Sequence, residues 1–177
     1  MSDSVEIEEY DPRWPGLFEA EKRRIEQALN DGNVIAIEHY GSTAVPGLAA
    51  KPVIDILVTV RWFAEARPAY PILLTPLGYV HWDVDPEGAR RMFLVKGMPP
   101  HGEKRTHHVH IVQHDNIEFT DRLKFRNYLR GHALISSNYG KLKKKLAEQY
   151  KDDREAYTAA KAGFIDTVMM KIRTGTA

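Results

Sequence analysis

The chain has 177 residues, 43% of them hydrophobic and 28% charged, a balance that suits a globular domain and excludes a fibre or a disordered tail. Lysine and arginine total 25 against 24 acidic residues, so the net charge of +1 points neither to nucleic acid nor to an anionic membrane. Cysteine is absent, which excludes a disulfide scaffold, a zinc ribbon and a thiol nucleophile, and suits a reducing compartment. No apolar run approaches the ~18 residues of a membrane span, and the acidic, alternating start is unlike a secretory signal. The expectation is one cytoplasmic domain over residues 1–177.

In chain order, Val5–Glu8 alternates apolar and polar residues and predicts a short strand. Asp11-Pro12-Arg13-Trp14-Pro15 breaks it, and a helix follows over about 14–30 with Leu17, Phe18, Ile25, Ala28 and Leu29 as its buried stripe. Asp31-Gly32-Asn33 ends that helix, and Val34–Tyr40 reads as a strand. Gly41–Leu48 is a loop. Pro52–Val60, β-branched and mostly apolar, predicts a central strand buried on both faces. A proline-interrupted helix spans about 63–76, and Tyr79–Val84, Arg90–Lys96 and Thr106–Gln113 are strands in an antiparallel portion of the sheet. Three helices follow, over Phe119–Gly131, Ser137–Lys151 and Arg154–Ile172. Strands first and helices afterwards indicate an α+β architecture.

The stretch from Glu38 to Val58 carries the most chemistry. A strand enters Gly41-Ser42, and the next strand holds Asp55 inside an apolar run. Glycine admits close backbone approach to a ligand, and serine adds a hydroxyl for a phosphate oxygen. A carboxylate in a buried strand requires a metal or hydrogen-bond donors. A plain turn, with Asp55 satisfied by protein donors, accounts for the same residues.

This segment resembles the signature of the GrpB family, which is assigned to the nucleotidyltransferase superfamily. The likeness continues through Tyr10–Pro15, Leu77-Gly78-Tyr79, Arg105–His110, Phe125–Arg130, Tyr139–Lys143 and Arg154…Tyr157…Lys161…Phe164-Ile165. It implies a nucleotidyltransferase-like mixed β-sheet with packed helices and a helical C-terminal part. It also implies a cleft in which Gly41 and Ser42 hold a triphosphate. A similar domain extends some dephospho-CoA kinases, where a folding-accessory role has been suggested. Working superfamily members place two carboxylates two residues apart to hold two magnesium ions. Here Asp55 is the first, and Leu57 stands in place of the second.

His108 and His110 alternate onto one strand face and, if that strand lies beside Asp55, complete a candidate site for zinc, manganese or iron and, less aptly, magnesium. Either histidine would also serve as a general base, and an ordinary pair of hydrogen-bonded sheet histidines explains them equally. His39 and Glu38 have opposite strand parity, so only one of them faces a cleft. Asp83-Val84-Asp85 precedes Pro86 and reads as a turn.

Arg122, Arg126 and Arg130 form a ridge at helical spacing, with Arg126 and Arg130 the candidates for phosphate. Lys161 falls inside an apolar helix stripe, where it pairs with a core carboxylate or reaches a triphosphate. Lys51, inside the family-like segment, completes the candidate phosphate-binding set of Gly41, Ser42, Lys51, Arg126, Arg130 and Lys161. Lys141–Lys145 reads as a mostly solvated helix face. The functional expectation is a nucleotide- or phosphate-binding protein, with metal-dependent nucleotidyl transfer to a hydroxyl as its activity and Asp55, His108 and His110 as the catalytic set. The competing expectation is a non-catalytic binding or folding-accessory module with a protein partner.

Overall fold

The computed structural model describes residues 4–82 and 90–175. Its elements, in order, are α1 (Trp14–Ala28), β1 (Val34–Tyr40), a 3-10 turn (Ser42–Ala44), β2 (Ile54–Val60), α2 (Phe63–Leu74), a second 3-10 turn (Thr75–Leu77), β3 (Tyr79–His81), β4 (Arg91–Lys96), β5 (His107–Gln113), α3 (Ile117–Gly131), α4 (Ala133–Gln149), α5 (Arg154–Ala160) and α6 (Ala162–Thr174). The described strands form one mixed sheet in the order β1-β2-β5-β4-β3. Only β2 and β5 are parallel, and the other neighbours run antiparallel. This is the α+β architecture expected from the order of the elements.

Strand parity sets what each face of the sheet can do. On β2, Ile54, Ile56, Val58 and Val60 point to the face covered by α1 and α2, where they join Phe18, Ile25, Tyr70, Leu94 and Ile111 in the main core. Asp55 and Leu57 alternate onto the opposite face. There Leu57 packs with Tyr40, Val112 and Phe119 beneath α3. Parallel pairing puts His108 directly beside Asp55 and His110 beside Leu57.

Several local expectations change in the folded chain. In place of a strand over Val5–Glu8, Glu8 makes an isolated antiparallel bridge to Ala50. The buried face of α1 is Trp14, Phe18, Glu21 and Ile25, and Leu17 is exposed. Glu21 is tolerated there because Lys96 Nζ donates to its Oε1 at 2.6 Å. The last predicted helix is two: at Lys161 the backbone tightens, with Lys161 N–H donating to Thr158 O, and α6 begins at Ala162. The Asp83-Val84-Asp85 turn lies outside the described residues. Among the described residues, no helix is long and apolar enough to cross a membrane.

Candidate functional site

The site begins at the end of β1. Gly41 adopts φ 72° and ψ −168°, a conformation that side-chain-bearing residues avoid. A β-carbon there would collide with the Asp55 carboxylate, so glycine is required both for the backbone angle and for the close approach of the acid. The turn that follows is braced from beneath. Buried His39 stacks on Phe18 with ring centroids 4.8 Å apart, and its Nε2 lies 3.0 Å from Thr43 Oγ1. Burial pushes the His39 titration down to about 4, which keeps this ring neutral over the physiological range. Glu38, on the opposite parity, is on the cleft side and meets α3.

Two of the expected phosphate ligands are engaged in this bracing. Arg126 is buried, and its Nη1 donates to Glu38 Oε2 at 2.8 Å and to His39 O at 2.6 Å. Arg130 Nε donates to Ala44 O at 2.8 Å, the last residue of the 3-10 turn. Arg130 lines a separate cavity behind the loop with Leu48 and Ser136, while Arg126 borders the cleft. Arginine on α3 was the right residue type to satisfy an orphaned carbonyl as well as a phosphate, and one-dimensional spacing does not distinguish the two acceptors.

Asp55 and His108 meet. His108 Nδ1 lies 3.0 Å from Asp55 Oδ1, and since a carboxylate accepts, the imidazole donates from Nδ1. That leaves His108 Nε2 buried and without a hydrogen-bond partner among the described residues. His110 does not join them. Its ring stacks on Phe93 at 4.5 Å and packs against Tyr40 and Phe119. Burial drives its titration well below the ordinary histidine range, so it stays a neutral aromatic spacer. The expected triad of metal ligands therefore separates into an Asp55–His108 pair and an isolated His110, because successive same-face positions on a strand are two residues apart and Phe93 fills the space over the second.

The divalent ions that the resemblance implies need paired acids. Leu57, at the place of the second acid, is 1% exposed within an apolar cluster. Among the described residues, no three His, Asp or Glu side chains gather as a metal-holding group. The residues present do not fit a two-ion centre.

Two adjoining spaces meet at Asp55, His108, Ser42 and Lys161. The smaller, about 190 Å³, is lined by Lys51, Lys143, Arg154 and Lys161. The larger, about 700 Å³, is bounded by Tyr40, Phe93, Phe125, Tyr139 and Met169. Lys161 sits 4.2 Å from the Tyr157 ring, and burial lowers its titration to about 8 against the opposing pull of Asp55. Lys51 Nζ lies over that same ring, 5.0 Å from its centroid.

Lys143 is the residue that sequence reading placed on a solvated face, and the fold corrects it. It is 2% exposed, and its Nζ has no hydrogen-bond partner among the described residues. Burial, reinforced by the charge of Lys161 and opposed by Asp55, pushes its titration down to about 7. The signal was present in the spacing: Lys143 follows Tyr139 by four residues and precedes Leu146 by three and Ala147 by four, all buried on one side of α4.

An α+β chain with a Gly-Ser turn, one strand carboxylate and a lysine-rich cavity over a mixed sheet is the class this geometry defines. The chain belongs to the GrpB family, whose model, described as GrpB protein, matches residues 4–171. It is 46% identical over 161 residues to UPF0157 protein PA4798 of Pseudomonas aeruginosa, a match covering 90% of this chain and 64% of that one. It is 39% identical over 167 residues to UPF0157 protein YqkA of Bacillus subtilis, covering 92% and 46% respectively. The chain thus spans less than two thirds of the length of either relative. The crystal structure of conserved protein GrpB from Enterococcus faecalis superposes with a TM-score of 0.81 at 38% identity, covering 94% of this chain and 96% of that one.

Proposed function

We propose that this chain binds a nucleotide or another phosphorylated small molecule, with phosphates in the smaller cavity and the organic part in the larger cleft. One observation carries the reading: Lys143, buried and without a hydrogen-bond acceptor among the described residues, and Lys161 converge on a small cavity beside Ser42 and Asp55. Two buried or half-buried ammonium groups on one cavity suit an anion with several oxygens. The adjoining aromatic walls offer the flat apolar surface that a base or other organic group takes.

The test is calorimetric titration of the intact chain with the four ribonucleoside triphosphates and with phosphorylated sugars. The expected result is saturable binding of at least one compound, weakened by Lys161→Ala and by rising salt. No binding of any phosphorylated compound would overturn the reading.

A second reading, group transfer to a hydroxyl, is favoured by the Asp55–His108 pair. Asp55 orients the imidazole so that Nε2 takes the hydroxyl proton, and the lysines neutralise the departing phosphate. Transfer of labelled nucleotide to proteins, RNAs and small alcohols tests it. Activity that survives both Asp55→Ala and His108→Gln would overturn it.

A further inference from the structure

We infer that phosphate recognition at this site is carried by lysine charge in place of bridging divalent ions, with Lys143 as the innermost phosphate ligand. The inference rests on the phosphate-binding reading above and specifies how that site holds its anion. Its ligand class is a compound ending in a di- or triphosphate, presented without a bound metal.

Three independent features lead there. The first is the side chain itself. An ammonium is seldom buried without a partner, because desolvation is costly and nothing offsets it. Lys143 nevertheless lies 2% exposed on α4, where its Nζ sits 4.9 Å from the centroid of the Tyr139 ring but has no hydrogen-bond partner among the described residues, and it lines the small cavity. A phosphate oxygen supplies the missing acceptor. The Tyr139 ring gives the ammonium a cation–π contact but no oxygen to accept its protons.

The second feature is charge balance. In a two-ion site, carboxylates outnumber cations, and the metals reverse the sign so that phosphates can enter. Here the charge is supplied by the chain, with Lys143 and Lys161 facing the same cavity as Asp55. Adding divalent ions to that set would place like charges side by side.

The third is the lost acid. Leu57 occupies the second carboxylate position, and it is sealed by Tyr40, Val112 and Phe119, with His110 stacked beside it on Phe93. That part of the site is built as an apolar wall. The cavity of about 190 Å³ is below the roughly 300 Å³ at which pockets take whole small molecules, so it suits a phosphate terminus whose organic part extends into the larger cleft.

Magnesium bound to a triphosphate lowers the charge that lysines can recognise, so the two modes of recognition predict opposite responses to the ion. The experiment is calorimetry of the full chain with inorganic tripolyphosphate and with ATP, in excess EDTA and in excess Mg2+ or Mn2+. The expected result is binding in EDTA at an affinity equal to or greater than that with metal. Lys143→Met should lower that affinity about ten-fold or more, the usual effect of losing a charged hydrogen bond. Lys143→Gln, which keeps the length and removes the charge, should do the same and serves if the first variant folds poorly. Binding that appears only with Mg2+ or Mn2+, or Lys143 variants that bind as wild type does, would overturn this inference and leave the phosphate-binding reading intact. Absence of binding in every condition would overturn this inference, and the phosphate-binding reading falls with it only if the other nucleotides and the phosphorylated sugars also fail to bind.

Discussion

Gly41 and Asp55 are matched by the absence of a side chain: the carboxylate of Asp55 on β2 occupies the space a β-carbon on Gly41 would need. Antiparallel pairing of Tyr40 with Asp55 brings the end of β1 this close. The positive φ of Gly41 then turns the chain away into the 3-10 turn that carries Ser42. The turn and the acid are therefore a single structural unit.

Replacing Gly41 tests that unit. Gly41→Ala should cost about 2–4 kcal/mol, from the disfavoured backbone conformation and the overlap with Asp55. Urea unfolding gives the loss directly. The double variant with Asp55→Ala should recover part of it, since the overlap is relieved while the backbone cost remains.

The two arginines of α3 should behave unequally. Arg126→Met leaves Glu38 and the His39 carbonyl without their donor and should cost about 2–4 kcal/mol. Arg130→Met removes one bond, to the Ala44 carbonyl, from an exposed side chain and should cost about 0.5–1.5 kcal/mol. Chemical denaturation of both variants ranks them. Equal losses would mean that Arg126 is not the anchor between α3 and β1.

Stability should depend on pH through Lys143. The amine is protonated in the unfolded chain up to about the ordinary lysine value of 10.5, and in the folded chain only below about 7. Between those values the unfolded state binds more protons, so the stability of the ligand-free chain rises with pH across that window. The burial cost is fully present below about pH 7 and fades towards 10.5. Lys143→Met should raise stability at pH 7 by about 1–3 kcal/mol and flatten this rise. Lys161, lowered to about 8, adds a smaller change of the same sign in the upper part of the window. Thermal melts of wild type and variant from pH 6.5 to about 10 check the slope.

Leu57→Asp recreates the acid spacing of a two-ion site in a position made for a hydrocarbon. It should destabilise the chain by about 3 kcal/mol or more, because an ionised carboxylate would sit among Tyr40, Val112 and Phe119. Excess Mg2+ or Mn2+ should not restore the melting temperature. Full recovery with metal would show that the two-ion geometry is latent in this cleft.

How much of this was legible in the sequence depends on the range of the interaction involved. Strand period by itself determined that Asp55 and Leu57 share one face and Ile54, Ile56 and Val58 the other, while the packing of α1 and α2 decided which face became the main core. Family-like motifs from Tyr10 to Ile165 determined the order of the elements, and the turn at Gly41-Ser42 needed only its glycine and its neighbours. The partners of long charged side chains were decided by the tertiary structure. Arg126 reaches Glu38 across 88 residues of sequence, and Lys96 neutralises Glu21 across 75. Lys143 shows the limit most clearly. Its run of lysines looked solvated because local composition reports average polarity, whereas its burial follows from α4 packing against α3 and α5. A helix period says which residues share a face, but only the packed elements determine whether that face meets water, hydrocarbon or an empty cationic cavity.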